Sequence, residues 1–260
     1  MTIFHKSILA GACQVVSRGD SVYNSVLLQK DGTVVAANEQ VRYIAEPSSA
    51  AIYESLPFGN KTGLFSDAMI TAEQIENLIK MVPVDKQFKG ALEHIDISHY
   101  DHGAGTPILS ALFNDGHGEA RFTLRAQGYI SPVLNNYRNL LQSLGEGQYS
   151  QKELLINRAQ LGQVFNALQS ACRYDGRFSF IKQRAFDKGY IWVCLNELTQ
   201  QHVVIVFTLT EAAMGIEYGT WEKSIFNKVN TPGVVPVVPN IKVLTRGKRC
   251  HINEDADIPF

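Results

Sequence analysis

The chain has 260 residues, 45% of them apolar and 10% aromatic, with 24 Lys and Arg against 25 Asp and Glu. That composition supplies one large or two modest cores and excludes a wholly disordered chain, and no apolar run approaches the roughly 18 residues that span a bilayer. The net charge of −1 hides a segregation: −4 over residues 1–149, +6 over 150–249 and −3 over 250–260.

Residues 5–17 place Ile8, Ala12, Val15 and Val16 on one helical face, ended by Gly19-Asp20. Strand character follows in Ser25–Lys30, then the hairpin signal Asp31-Gly32, then Thr33–Ala37 and Val41–Ala45. Pro47 to Gly63 reads as a loop. Thr71–Met81 is a second helix, with Ile75, Leu78, Ile79 and Val82 at helical spacing, Thr71 as N-cap and Pro83 as stop. Strands are predicted near Ala91–Ser98, Ile108–Phe113 and Ala120–Ala126, and residues 128–149 read as a crossing between domains.

The second half repeats the theme. Glu153–Ile156 is strand-like, Asn157 caps a helix through Cys172, and Leu161, Val164, Phe165 and Leu168 form its apolar stripe. Strands follow at Phe178–Phe186, Tyr190–Leu195 and Val203–Thr210. The segments from Ile70 and from Ile156 share a pattern, which suggests an internal duplication. Few helices, far apart in sequence, predict an α+β fold with antiparallel sheets. Three prolines in the stretch 232–239 predict a flexible linker and tail from about residue 231. The expected divisions are therefore 1–145, 146–230 and 231–260.

The chain ends in Glu254-Asp255-Ala256-Asp257-Ile258-Pro259-Phe260. Such a tip cannot fold alone, but it can dock: Phe260 in an apolar pocket, its carboxylate on a cation, the acids on a basic rim. A solvated acidic end is the plainer alternative. The tip closely resembles that of bacterial single-stranded DNA-binding proteins, with Asp257, Ile258, Pro259 and Phe260 matching the ending and Glu254 and Asp255 the acidic lead. This resemblance implies a docking peptide for helicases, nucleases, primase and polymerase subunits. It covers under a tenth of the chain. No compact five-strand barrel of the oligonucleotide-binding type opens the sequence. The first 145 residues instead resemble a sliding-clamp domain: an amphipathic helix, then SVLLQKDGTVVAANEQVRYIAE, then a helix and further strands ending in ARFTLRAQGY.

Single-stranded DNA is held by cations along the backbone and aromatic faces against the bases. Residues 173–192 interleave Arg173, Arg177, Lys182, Arg184 and Lys188 with Tyr174, Phe178, Phe180, Phe186, Tyr190 and Trp192. Strand alternation would set Phe178, Phe180, Lys182, Arg184 and Phe186 on one face, which suits DNA better than a core. The alternative is that the two phenylalanines are core and the cations lie past the sheet edge. Arg246, Lys248 and Arg249 form a second basic cluster, expected to touch phosphate or to pair with the tip.

The constellation His94, Asp96, His99, Asp101 and His102 invites a metal reading, but it matches no short metal motif, and a solvated turn is preferred. Phosphate-binding loops, dinucleotide fingerprints and nucleophile elbows are absent from the sequence. Cys13, Cys172, Cys194 and Cys250 form no C-x-x-C pair, which suggests reduced, buried thiols in a cytoplasmic protein. The expectation is a non-enzymatic, cofactor-free, non-membrane protein of replication or recombination that binds single-stranded DNA and recruits partners through its tip. A ring-forming clamp, with a homo-oligomer implied, is the second reading. A metal-dependent nuclease is the third.

Overall fold

The computed structural model describes residues 2–20, 23–46, 66–101, 108–140, 158–172, 180–186, 189–196 and 201–208. The chain divides into two units, Met1–Gly215 and Ile216–Phe260, and every described residue belongs to the first. The architecture is α+β, with two antiparallel sheets and few helices. No helix among the described residues is long and apolar enough to cross a membrane.

In chain order the elements are β1 (Thr2–His5), α1 (Lys6–Val15), β2 (Ser25–Leu28), β3 (Val34–Ala37), β4 (Val41–Ala45), β5 (Ala68–Thr71), α2 (Ala72–Met81), β6 (His94–Asp101), β7 (Ile108–Asn114) and β8 (Glu119–Arg125). A short helix α3 (Pro132–Asn135), α4 (Arg158–Ala171), β9 (Phe180–Phe186), β10 (Gly189–Asn196) and β11 (Gln201–Thr208) complete the set. One sheet has the order β1-β6-β7-β8 and the other β5-β2-β3-β4-β11-β10-β9.

That order contains a repetition. Strand, helix and three-strand meander occur as β1-α1-β2-β3-β4 and again as β5-α2-β6-β7-β8. Each unit lends its leading strand to the other's meander: β1 pairs with β6, and β5 with β2. The helices begin without a loop, capped by the last strand residue. His5 accepts from the Ser7 N–H, and Thr71 Oγ1 accepts from the Gln74 N–H at 3.4 Å. The helix, meander sequence recurs once more as α4-β9-β10-β11. The duplication suggested between the segments from Ile70 and Ile156 thus coincides with two of these helices, and α1 is a third instance that its sequence does not advertise.

Strands on both sides of residue 145 share one sheet, because β11 pairs antiparallel with β4, from Val203 opposite Ala45 to Phe207 opposite Val41. The divisions expected at 145/146 and 230/231 themselves fall outside the described residues. One face of this large sheet (Val26, Leu28, Val34, Tyr43, Ile205) meets α1, α2 and α4 and the small sheet's Ile95, Ile97 and Leu109 in a single core. The other face (Leu27, Val35, Ile44, Val204, Val206) is covered by Leu134 and Tyr137. The segment predicted as a crossing therefore packs on the sheet. Tyr137 bonds Gln29 Oε1 at 2.7 Å, and Arg138 pairs with Asp31 at 3.1 Å.

Helix α1 is nearly enclosed, with only Gln14 exposed along its length. It crosses α4 at Gly11, where an added Cβ would lie 2.8 Å from the Ala167 carbonyl oxygen, 2.9 Å from Ala171 Cβ and 2.9 Å from Tyr43 Oη. The absent side chain is what lets the helices approach. Tyr43, fully buried, donates from that position to the Ile8 carbonyl at 3.0 Å. Asn38 ties the same region together: its amide donates to the Val15 carbonyl and to Gln163, while its oxygen accepts from the Gln40 and Val41 N–H groups.

Two short strands, β1 and β5, differ from the sequence expectation, and residue 5 ends a strand where a helix was expected to begin. The strand predicted from Ala91 starts at His94, because Gly90 and Ala91 are held in a turn by bonds to Asp85 and Phe88. The Asp31-Gly32 turn forms as expected. Gly32 takes φ +93°, and Asp31 Oδ1 accepts from the Thr33 N–H at 2.9 Å.

Candidate functional site

The residues proposed for DNA divide by position. Phe180, Lys182, Arg184 and Phe186 lie in β9, the last strand of the large sheet. Its register sets Lys182 opposite Val193, Arg184 opposite Ile191 and Phe186 opposite Gly189, and then slips so that Phe180 stands opposite Cys194. The bulge inserts one residue between Phe180 and Lys182. The uninterrupted two-residue alternation expected through 178–186 is broken there. Arg173, Arg177, Phe178 and Lys188 lie outside the described residues, as do Arg246, Lys248, Arg249 and the tip residues Glu254, Asp255, Asp257, Ile258, Pro259 and Phe260.

Of the His-Asp constellation, His94, Asp96, His99 and Asp101 lie in β6, which runs past the expected end at Ser98 to Asp101, while His102 and the expected turn lie outside the described residues. Alternation separates its members. Asp96 lies opposite Leu112 and His99 opposite Leu109, three positions apart and so on opposite faces. His99 Nε2 meets Ser66, at 2.9 Å from its N–H and 2.6 Å from its hydroxyl. Among the described residues, no three His, Cys, Asp or Glu side chains stand where they could hold a metal.

The described residues build a different polar centre, which sequence reading passes over. At the β1–α1 junction His5, Lys6 and Ser7 are buried together with Glu93 and Asp96. The His5 and His94 rings meet edge to face, 5.2 Å between centroids. His5 Nδ1 lies 2.7 Å from Ser7 Oγ and accepts from the Ser7 N–H, while Nε2 lies 2.8 Å from the Gly90 carbonyl. These bonds assign the neutral tautomer with the proton on Nε2. Burial, with His94 alongside, pushes the His5 pKa down to about 4. Burial also lowers His94. It raises the Asp96 carboxyl to about 6, and Asp96 Oδ1 has no hydrogen-bond partner among the described residues.

This centre holds the connection from α2 to β6 by both ends. Lys6 Nζ donates to the Val82 carbonyl, and the Lys6 N–H donates to the Glu93 carbonyl at 2.9 Å. Between these points Asp85 folds the chain inward, one carboxylate oxygen taking the Phe88 N–H at 2.9 Å and the other the Leu92 N–H at 3.1 Å. Glu93 Oε1 takes the Asp85 N–H at 2.8 Å. Lys89 is held at φ +52° and Gly90 at +88°, so two successive left-handed residues turn the chain. The outer surface of the connection is apolar and basic. Met81, Val84, Phe88 and Leu92 are 48%, 46%, 54% and 57% exposed. Lys80, Lys86 and Lys89 are also exposed. The available sequence signal is an Asp three residues before Phe88, with Gly90 after it, in V-D-K-Q-F-K-G.

The exposed positions of the described helices carry no basic stripe. Their exposed polar side chains are Gln14 on α1, Glu73, Asn77 and Lys80 on α2, Asn135 on α3, and Arg158, Asn166 and Gln169 on α4. At the end of the small sheet, β8 has one neighbour among the described strands, and β9 likewise ends the large sheet. Gln74 of α2 clasps the end of β8, accepting from the Arg125 N–H at 2.8 Å and donating to its carbonyl at 3.1 Å.

No protein-family model matches the chain, and no curated protein matches it. Among solved structures, it is similar to one described as "C-terminal region of FEN-1 bound to A. fulgidus PCNA". That chain is 8% identical with a TM-score of 0.42, over 84% of this chain and 98% of the other. The functional reading rests on the chain's own residues.

Proposed function

We propose that this chain is a sliding-clamp-like processivity factor of DNA replication, a non-enzymatic scaffold that closes into a ring around duplex DNA. The observation that carries the reading is the repeated strand-helix-meander unit with exchanged leading strands, together with its extension into a third helix and meander. This deepens the pattern by which residues 1–145 resemble a clamp domain. Among the described strands four end a sheet, β1, β5, β8 and β9, and two of them, β8 and β9, are put forward as templates for head-to-tail pairing, which generates a ring when the rotation closes. The described helices expose few cations, a poor surface for gripping phosphate. A ring retains its duplex by enclosure and needs no such grip. The acidic tip then serves to engage helicase, nuclease, primase or polymerase subunits.

The second reading is a single-stranded DNA-binding protein. It is favoured by the basic, aromatic composition of 173–192 and by the terminal Asp-Ile-Pro-Phe. Sedimentation velocity combined with fluorescence anisotropy separates the two. A closed oligomer that binds neither oligo(dT) nor short linear duplex tightly, yet stays on circular duplex until the circle is cut, is expected for the clamp. A chain that grips oligo(dT) with a steep salt dependence belongs to the second reading, and the first then fails.

A further inference from the structure

We propose that the outer edge of β8 takes an extended, acidic and apolar segment of another protein as an added antiparallel strand, and that Gln74 marks where that strand stops. Hydrogen bonds at the two ends of β8 fix which backbone groups face outward. The Asp115 N–H donates to the Gly118 carbonyl at 3.1 Å across the hairpin, so Gly118 and then Ala120, Phe122 and Leu124 turn their amide groups towards β7. At the far end, Gln74 of α2 takes both the Arg125 N–H and its carbonyl, on the side away from β7. The alternation agrees from both ends. Glu119, Arg121 and Thr123 therefore point their N–H and carbonyl groups out of the sheet, where no described residue bonds them. The register with β7 is unbroken from Ile108 opposite Arg125 to Asn114 opposite Glu119. The strand has neither the proline nor the bulge that commonly spoils an edge.

Strand addition takes affinity from main-chain bonds and specificity from alternate side chains. On the outer face Glu119, Arg121, Thr123 and Arg125 are exposed, and among the described residues neither arginine has an ion-pair partner. Their neighbours on β7 are Leu112 and Ile108. On the inner face Ala120 and Phe122 are half-buried against the core. An acid opposite Arg121 meets it directly, and an acid opposite Thr123 lies diagonal to both arginines. Apolar residues between and after them extend the cover over Phe122 and Ala120, and a cation in the last place faces Glu119. From its N-terminus the segment therefore runs acid, apolar, acid, apolar, cation, and that order sets its direction. None of the other described strands that end a sheet, β1, β5 and β9, carries an acid, so the pattern points to a different protein. While bound, the segment withholds β8 from a second copy and keeps the ring open. That consequence rests on the ring reading; the binding does not.

The test titrates the full chain into the fluorescein-labelled peptide Thr-Asp-Val-Glu-Val-Lys-Thr and into its reversed sequence, with anisotropy as the readout. The forward peptide is expected to bind at least tenfold more tightly than the reversed one, which has the same composition and charge. R121E should weaken the forward peptide at least tenfold, and a peptide with lysine in place of its glutamate should regain that affinity on R121E. T123P removes an N–H that faces outward, so the ladder to β7 keeps its bonds while binding falls at least tenfold. The melting temperature checks that both variants keep the fold. Q74A frees the Arg125 groups, so a peptide two residues longer at its N-terminus should gain at least threefold on Q74A and nothing on the parent chain. Equal gains on both chains would remove Gln74 as the stop. The proposal is overturned if the forward peptide does not bind, if both directions bind alike, or if R121E and T123P bind it as the parent does. It is also overturned if the chain instead self-associates through β8, with T123P dissolving the oligomer and no peptide taken up. Ring closure is read separately, by sedimentation without peptide, so a chain that binds the peptide and forms no ring loses the ring reading alone.

Discussion

Asp96 and His5 stand within a few residues' reach of the same junction and respond to acid in opposite senses. His5 has a folded pKa of about 4 against an ordinary 6.5, so its contribution is fully present above pH 6.5. It is lost as the pH falls towards 4, because the unfolded chain takes up the proton first. Asp96 is raised from 3.8 to about 6, so its contribution is full below 3.8 and lost as the pH rises through 6. Asp96→Asn, neutral throughout, is therefore expected to stabilise the protein at pH 7.5 by on the order of 1–3 kcal/mol. The gain should shrink steadily towards pH 4.5. Thermal melts of the two proteins at several pH values measure it, and a difference that does not change with pH would show that the Asp96 charge is not the cause. From sequence, Asp96 and the neighbouring His94 read as metal-binding or solvated, and His5 only as the start of a helix. Burial of a histidine and an aspartate on one strand depends on which segment covers them, and that segment, 82–93, is irregular and leaves no periodic signal.

At the scale of elements, the α1–α4 crossing turns on Gly11. Replacing glycine by alanine inside a helix ordinarily gains up to about 1 kcal/mol. Here two of the three atoms in the way, the Ala167 carbonyl oxygen and Ala171 Cβ, belong to the opposing helix and cannot rotate aside. Overpacking of this sort costs about 1–3 kcal/mol, so the steric loss exceeds the propensity gain. Gly11→Ala is expected to lower stability to urea by about 1–2 kcal/mol net, whereas Gly162→Ala on α4, where an added Cβ meets nothing within 4 Å, should not. Chemical denaturation of both variants checks this; equal effects would remove the crossing as the explanation. Most elements are legible because period and punctuation agree locally. Thr71 caps α2, Met81 ends it, and β4 matches its predicted bounds, since each has turn residues at its ends. β1 and β5 are not legible. Four residues running directly into a helix have no turn before the cap, and their partners lie in a distant meander. The slip in β9 has no sequence mark either, because a bulge is decided by pairing with β10.

For the molecule as a whole, the shared core makes a claim about cooperativity. Cys13 on α1 and Cys172 after α4 are both buried cysteines in one cluster, and burial pushes Cys13 up to about 12. Thiolate is the reactive form, so native Cys13 should be inert to alkylation. In a C194S/C250S background, both remaining thiols are expected to react only on global opening, with one rate constant and one dependence on urea. Mass spectrometry of pulse-labelled protein reads this directly. Early labelling of Cys172 alone would mean that α4 opens apart from the rest. The α+β class and its antiparallel pairing are visible in the sequence from alternation and hairpin signals. The joining of β11 to β4 is not, since nothing local to Val203–Phe207 names Val41–Ala45 as its neighbour.

The exchange of leading strands also bears on synthesis. Thr2–His5 leaves the ribosome before its partner Ile97 to His94, which follows some ninety residues later. Until then β1 has no strand to pair with, and long-range pairings of this kind form slowly. A nascent chain halted before β6 would present greasy, unpaired segments to whatever chaperone waits at the exit tunnel.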